Sequence, residues 1–466
     1  MDAVPNRSTA ESDRPPAVIV GIQLQGVSDE AFDSSLTELE RLGETLGLRV
    51  IGRVTQKRRG VGSANVVGEG KLKELARFTG GQGVVPSYAP PGSRAAKEAE
   101  AVQDEFFDEA DDDEGSIEDE QAPKRAITVL VDQDLSPTQM RNLEKATGVE
   151  VLDRTMVILS IFQRHARTRE AKIQVEIARL VYMAPRLREA GAGTERQRGG
   201  IGGKGAGESA LELGRRATRD RISELRRSLV VVEREADTQR SRRVGNSTQA
   251  VALVGYTNAG KSRLMRALTN DTIYIADQLF ATLDTTVRVL MPETRPRILI
   301  SDTVGFIKDL PHDLVASFRS TLEEAKDANL HLHVVDASDP AFREQYKVTR
   351  QVLSEIGAED HPRLLILNKS DLLEGNERAA LAEEFPEAVV MSAQSSSDIA
   401  ALHERIQDFF EQSMEEVEFV IPYDQQAKVA LLHERCRVLE ERYEEDGAHI
   451  RVRTSAAVLE GLRAEI

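Results

Sequence analysis

The 466-residue chain predicts a multidomain α/β protein: a small parallel α/β domain, a long antiparallel helical hairpin, a P-loop nucleotide-binding domain and a small α+β domain. Three observations predict it. Strand-like and helix-like patterns alternate over the first 150 positions, as a parallel sheet requires. Helical apolar spacing then brackets a glycine-rich stretch. Finally, a G-x-x-x-x-G-K-[ST] sequence sits between an apolar run and a helical pattern.

Residues 1–16 are polar, lack the apolar core of a signal peptide, and are expected to form a disordered tail. The first domain is placed at 17–152. Ala17–Ile22 reads as a strand, and Leu36, Leu39, Leu42 and Leu46 mark one helix face. Arg49–Val54 is a second strand, Gly70–Arg77 a helix and Ala126–Val131 a third strand. Ser136 and Pro137 supply an N-cap and a first helical residue, and Val149–Leu152 closes the domain as a short strand.

The formal net charge of −17 hides a division. Residues 98–120 carry 13 acidic and no basic side chains, which marks an acidic, disordered insertion over about 95–122. Residues 153–245 carry 21 Lys and Arg against 12 Asp and Glu, a balance of +9. A basic module in an acidic chain is the electrostatic footprint of a nucleic-acid partner, or else a solvated, salt-bridged helical surface. This module, 153–247, is the expected hairpin. Ile173, Ile177, Leu180, Val181 and Ala184 recur at helical spacing, as do Leu211, Thr218, Ile222, Leu225, Leu229 and Val232. Between them, residues 191–207 hold eight glycines with Arg196, Arg198 and Lys204. Such a tip packs no core but lets backbone approach phosphates closely.

No apolar stretch approaches the length that spans a bilayer, so no stable membrane insertion is expected. Cys436 is the sole cysteine, which excludes an internal disulfide and a cysteine-based zinc site; it reads as a packing residue in a helical pattern. A cytoplasmic monomer is expected.

The nucleotide domain is placed at 248–412. Ala250–Val254 reads as a buried strand and Arg263–Leu268 as the helix that follows. Between them the loop residues Gly255, Tyr256, Thr257, Asn258, Ala259 and Gly260 offer backbone N–H groups to phosphates. Lys261 places a charge on the β- and γ-phosphates, and the Ser262 hydroxyl is a ligand for Mg²⁺. Asn258 is a candidate potassium ligand, or braces the loop through its amide. Asn368–Asp371 read NKSD after the strand-like run Leu364–Leu367. The Asp371 carboxylate can accept from N1–H and the exocyclic amine of guanine, which adenine cannot supply. Asn368 and Lys369 would brace that loop and cover the base. Ser392 and Ala393 follow another strand-like run, and the Ala393 N–H could meet guanine O6. GTP and GDP are therefore the expected ligands.

Between these motifs, Arg297–Asp302 reads as a strand ending in a carboxylate that holds Mg²⁺ through water. Gly305 would offer its N–H to the γ-phosphate. Thr282, Thr285 and Thr286 are candidates for the switch threonine. Phe306 stands where a water-orienting glutamine is otherwise used, so intrinsic hydrolysis is expected to be slow or to use other groups. Beyond this domain, residues 413–466 form the small α+β part. Val417–Ile421 is a strand, Asp424–Arg437 a helix, and a turn at Glu445–Gly447 precedes a strand at His449–Arg453.

Taken together, the residues resemble the HflX family of GTPases over nearly the whole chain. The resemblance rests on VGEGKLKEL (67–75), DLSPTQMRNLE (134–144), the arginine-rich run 151–187, GGIGGKGAGES (199–209), GYTNAGKS, LFATLDTT, DTVGFI and NKSD. It implies a ribosome-associated GTPase that uses Mg²⁺ and has Thr282 as its switch threonine. It also implies that the first domain and hairpin enter the large ribosomal subunit. Arg196, Arg198, Gly199, Gly200 and Lys204 would then lie near the peptidyl-transferase centre. Such a protein splits stalled or idle ribosomes, and GTP hydrolysis releases it. Lys204, Ala206 and Ser209 stand where the family usually has Arg, Pro and Thr, and Thr285 replaces a Pro. Two other functions fit the same residues: a ribosome-assembly GTPase, and an RNA-binding module with nucleotide as a mainly structural ligand.

Overall fold

The structure is a computed structural model that describes residues 14–60, 64–85, 125–190, 210–244, 249–270, 279–280, 286–308 and 324–465. The chain divides into two compact units, residues 1–161 with 182–218, and residues 162–181 with 219–466.

The first unit is built on a four-stranded parallel sheet, β1 (Pro16–Leu24), β2 (Arg49–Arg58), β3 (Thr128–Val131) and β4 (Glu150–Asp153), in the order β2-β1-β3-β4. β1 is central and buried along seven of its nine residues, as a strand covered on both faces must be. The intervening helices are α1 (Asp29–Thr45), α2 (Glu69–Thr79) and α3 (Pro137–Thr147). Local chemistry sets their ends. The Ser28 hydroxyl accepts from the Ala31 N–H, and Ser136 and Gln139 form a reciprocal capping box ahead of Pro137. Val18, Val20, Leu72, Leu75, Val129 and Leu143 close one side of the core.

α4 (Arg154–His165), α5 (Arg169–Ala190) and α6 (Ala210–Val244) follow. Asp153, fully buried, anchors the chain within the first unit. It accepts from Arg186 at 2.7 Å, from the Met156 N–H at 2.9 Å, from the Leu135 N–H at 3.2 Å and from the Tyr182 hydroxyl. Burial pushes its carboxyl up in pKa, against these donors and the Arg186 charge. Within the second unit, Ile173 and Ile177 of α5 pack on Leu225 of α6, and Arg221 pairs with Glu176 at 2.9 Å.

The second unit holds a six-stranded sheet of β5 (Gln249–Gly255), β6 (Thr286–Val289), β7 (Ile298–Asp302), β8 (Leu330–Asp336), β9 (Arg363–Asn368) and β10 (Val389–Val390). Its order is β10-β9-β8-β5-β7-β6, parallel except for the antiparallel edge strand β6. Helices α7 (Lys261–Thr269), α8 (Phe342–Glu355), α9 (Glu377–Glu384) and α10 (Ser396–Glu411) accompany it. The strands β6 and β8 have no counterpart in the sequence reading.

β11 (Met414–Ile421), β12 (Arg437–Glu444) and β13 (Gly447–Ser455) form a separate antiparallel sheet in the order β11-β13-β12, with α11 (Gln426–Arg435) and α12 (Ala456–Glu465). The helix expected over Asp424–Arg437 is shorter. Tyr423–Gln425 is a 3₁₀ turn, and the helix stops at Arg435. Cys436 therefore lies past the helix rather than in it. Its N–H caps the Leu432 carbonyl at 2.9 Å, and its side chain is 1% exposed among Leu432, Ile450, Val452 and Val458.

Candidate functional site

Parallel pairing brings four strand ends to one edge of the six-stranded sheet. Leu253 pairs with Asp302, Gly255 with Val334, and Asp336 with Asn368. Open α/β sheets bind ligands at this carboxyl edge.

The phosphate loop runs from the end of β5 to the start of α7. Lys261 is 6% exposed, and its ammonium donates to the Gly255 carbonyl at 2.9 Å and the Tyr256 carbonyl at 2.8 Å. Those bonds use two of three protons and fix Nζ in place. Burial lowers the Lys261 pKa to about 8, against the nearby Asp302 charge. The Ser262 hydroxyl donates to Asp302 Oδ2 at 2.8 Å. Both are hard oxygen donors of the kind Mg²⁺ takes, so the side chains present fit that ion. Asn258 is exposed and sits at φ 59°.

The base loops meet the phosphate loop through Asn368, which is 1% exposed. Its amide donates to the Ala259 carbonyl at 2.9 Å and accepts from the Ala393 N–H at 3.0 Å. The Ala393 N–H assigned to guanine O6 is thus engaged by Asn368, and O6 would have to share it. Gly260 explains its own identity: at φ 95°, a β-carbon there would lie 2.3 Å from Asn368 Nδ2. Lys369 pairs with Asp336 at 2.7 Å. Asp371 is exposed and accepts from the Ser392 hydroxyl and, at 3.1 Å, from Gln394 Nε2. Ser392 is oriented in turn by its N–H donating to Asp398 at 2.9 Å.

Thr282 and Thr285 lie outside the described residues, as do Arg196, Arg198, Gly199, Gly200 and Lys204. Thr286 opens β6 opposite Asp302. Just before Thr282, Phe280 is 2% exposed and meets Phe162 edge-on, with ring centroids 4.6 Å apart.

Three family models match in succession. "GTP-binding GTPase N-terminal" covers 33–85 and 115–163, "GTP-binding GTPase Middle Region" covers 165–243, and "50S ribosome-binding GTPase" covers 250–369. A GTPase HflX of Gluconacetobacter diazotrophicus is 53% identical over 452 residues, 97% of this chain and 98% of the relative. The chain belongs to the HflX family of GTPases. A second HflX relative, from Caldanaerobacter subterraneus subsp. tengcongensis, is 38% identical over 455 residues, 97% of this chain and 94% of its own length. Among solved structures, "crystal structure of SsGBP and GDP complex" matches with a TM-score of 0.45 and 21% identity, covering 85% of this chain and 98% of that one. Among the described residues of this HflX-family chain, no helix is long and apolar enough to cross a membrane.

Sequence reasoning missed Asp336, Gln394 and Asp398. Asp336 carried a signal, since LHLHVVD ends a strand in a carboxylate at the same edge as Asp302. Gln394 and Asp398 belong to no pattern of fixed spacing.

Proposed function

We propose that this chain hydrolyses the β–γ phosphoanhydride of GTP, docks on the large ribosomal subunit and splits stalled or idle ribosomes, with hydrolysis driving release. The observation that carries the nucleotide reading is the Asn368 side chain. One buried amide joins the phosphate loop at Ala259 to the base loop at Ala393, so both halves of a guanine-nucleotide site form one body. The ribosomal reading is supported by the +9 balance of residues 153–245 and by the description of the 250–369 match.

In this reading Lys261 neutralises charge on the β- and γ-phosphates with its remaining proton. Asp371 selects guanine by exchanging protein donors for N1–H and the exocyclic amine. Gly305 offers its N–H to the γ-phosphate. Ser262, Asp302 and Thr282 would hold Mg²⁺, which when bound neutralises charge on the phosphate oxygens. Phe306 carries no polar group, so the attacking water is oriented elsewhere. Asn258 is the candidate potassium ligand; turnover that is equal in potassium and sodium would remove it from that role.

The test is GTP turnover with and without purified large subunits, with Lys261→Ala as control, followed by sucrose-gradient profiles. Stimulation lost in the variant, with free subunits rising from intact ribosomes, is expected. Action on precursor particles alone would favour an assembly role, and co-migration without turnover a passive RNA binder.

A further inference from the structure

The second switch begins where β7 ends, and its described residues 303–308 are tied down by protein groups. Residues 303–307 are all buried, with Phe306 at 2% and Ile307 at 1% exposure. The Phe306 ring packs in a cluster with Ala252 and Val254 of β5 and Val352 and Leu353 of α8. Its backbone pairs with the phosphate loop: the Phe306 N–H donates to the Gly255 carbonyl at 3.1 Å, and the Thr257 N–H donates to the Phe306 carbonyl at 2.8 Å. A third bond extends this bridge. The Lys308 N–H donates to the Tyr256 hydroxyl at 2.8 Å, and Tyr256 itself is 6% exposed.

These contacts set Gly305 against the loop. A β-carbon on Gly305 would lie 2.9 Å from Thr257 Cγ2 and 3.1 Å from Lys261 Nζ. The N–H assigned to the γ-phosphate is therefore carried beside the ammonium that serves the same phosphate. In the usual order–disorder switch, the γ-phosphate supplies the contacts that order this segment. Here a buried ring and three hydrogen bonds supply them from within the chain.

We infer that Tyr256 is a positioning residue, whose hydroxyl, together with the Phe306 anchor, docks the start of the second switch on the phosphate loop and holds Gly305 in place for a triphosphate. The inference rests on the GTP site proposed above. It also gives Phe306 a purpose: a ring in the core anchors the segment, where a glutamine side chain would seek water. GDP lacks the phosphate that Gly305 would meet, so the hydroxyl should matter more for GTP than for GDP.

The experiment is Tyr256→Phe, which removes one hydroxyl and keeps the ring. Affinities for GDP and a non-hydrolysable GTP analogue are measured in parallel. The ratio of analogue to GDP affinity should fall about three- to tenfold, the range for losing one hydrogen bond. A merely structural tyrosine would lower both affinities together, and that result, or an unchanged ratio, overturns the inference. Hydrogen exchange at the Lys308 amide in nucleotide-free wild-type protein is the second measurement. Protection that drops in the variant supports the docking, and exchange at the unprotected rate in the wild type overturns it. This measurement needs no nucleotide, so it separates failure of the inference from failure of the GTP site, which would show as binding of neither nucleotide.

Discussion

At the base end of the site, Asp371 accepts from two side chains, Ser392 and Gln394, whereas at the phosphate end Lys261 donates to two backbone carbonyls, Gly255 and Tyr256. The difference is one of adjustability. A carbonyl in a paired loop cannot turn away without unpairing its strand, so the ammonium is held in one place. A glutamine rotates at little cost. In the proposed site the phosphate end is thus preformed, and the base end would exchange protein donors for ligand donors. Asn368 touches both ends and, at 1% exposure, is more buried than Lys261 and far more buried than the exposed Asp371.

The largest effect should come from removing the preformed charge. Lys261→Ala is expected to cut GTP turnover by on the order of a hundredfold or more, as for loss of one preorganised stabilising group. Turnover within a few-fold of wild type would show that the seated ammonium does not serve the phosphates. Next is Asp371→Asn. Its amide offers a donor where guanine also offers one, so GDP affinity should fall by roughly a hundredfold. Xanthosine diphosphate, which carries a carbonyl in place of the amine, should gain; equal losses for both bases would argue against Asp371 as the reader of that edge.

A third effect follows from the Lys261 pKa of about 8. The folded value is depressed, so the charge is present below that pH and lost above it. Bound phosphates favour the charged form, and binding takes up a proton on the alkaline side. Nucleotide affinity should therefore drop roughly tenfold from pH 7 to pH 9. The unliganded fold should gain stability over the same rise, because the unfolded chain holds that proton up to the ordinary value. A flat affinity profile would mean that Asp302 offsets the burial more fully. The smallest effect belongs to the movable donor. Gln394→Ala frees Asp371 Oδ2 and should tighten GDP binding by about two- to fivefold, the value of a single exposed hydrogen bond. Weaker binding in a calorimetric titration would mean that Gln394 supports the base instead.

What the sequence reveals follows the same division. GYTNAGKS and NKSD are legible because, in the proposed site, phosphate and guanine would impose fixed spacing on backbone and carboxylate. β8 escapes notice for a physical reason. Its LHLHVVD places His331 and His333 at core positions where an apolar residue is looked for. Burial pushes the His333 imidazole down to about 3, so it packs as a neutral ring. β6 is four residues, three half-buried and Arg288 exposed, too short and too weakly patterned to separate from a loop. The Asp336–Lys369 pair spans 33 positions, and no local period connects it. The end of α11 is misjudged because Cys436 suits a helix and a core equally, and only the sheet reveals that the chain must turn there to begin β12.

That lone thiol has a practical consequence. Cys436 is the only cysteine in 466 residues and is 1% exposed, and burial raises its pKa and slows its reaction further. A thiol reagent can mark it only when the small antiparallel sheet opens. The rate of labelling is then a native clock for that opening, readable by mass in a mixture with ribosomes, with no probe added to the protein.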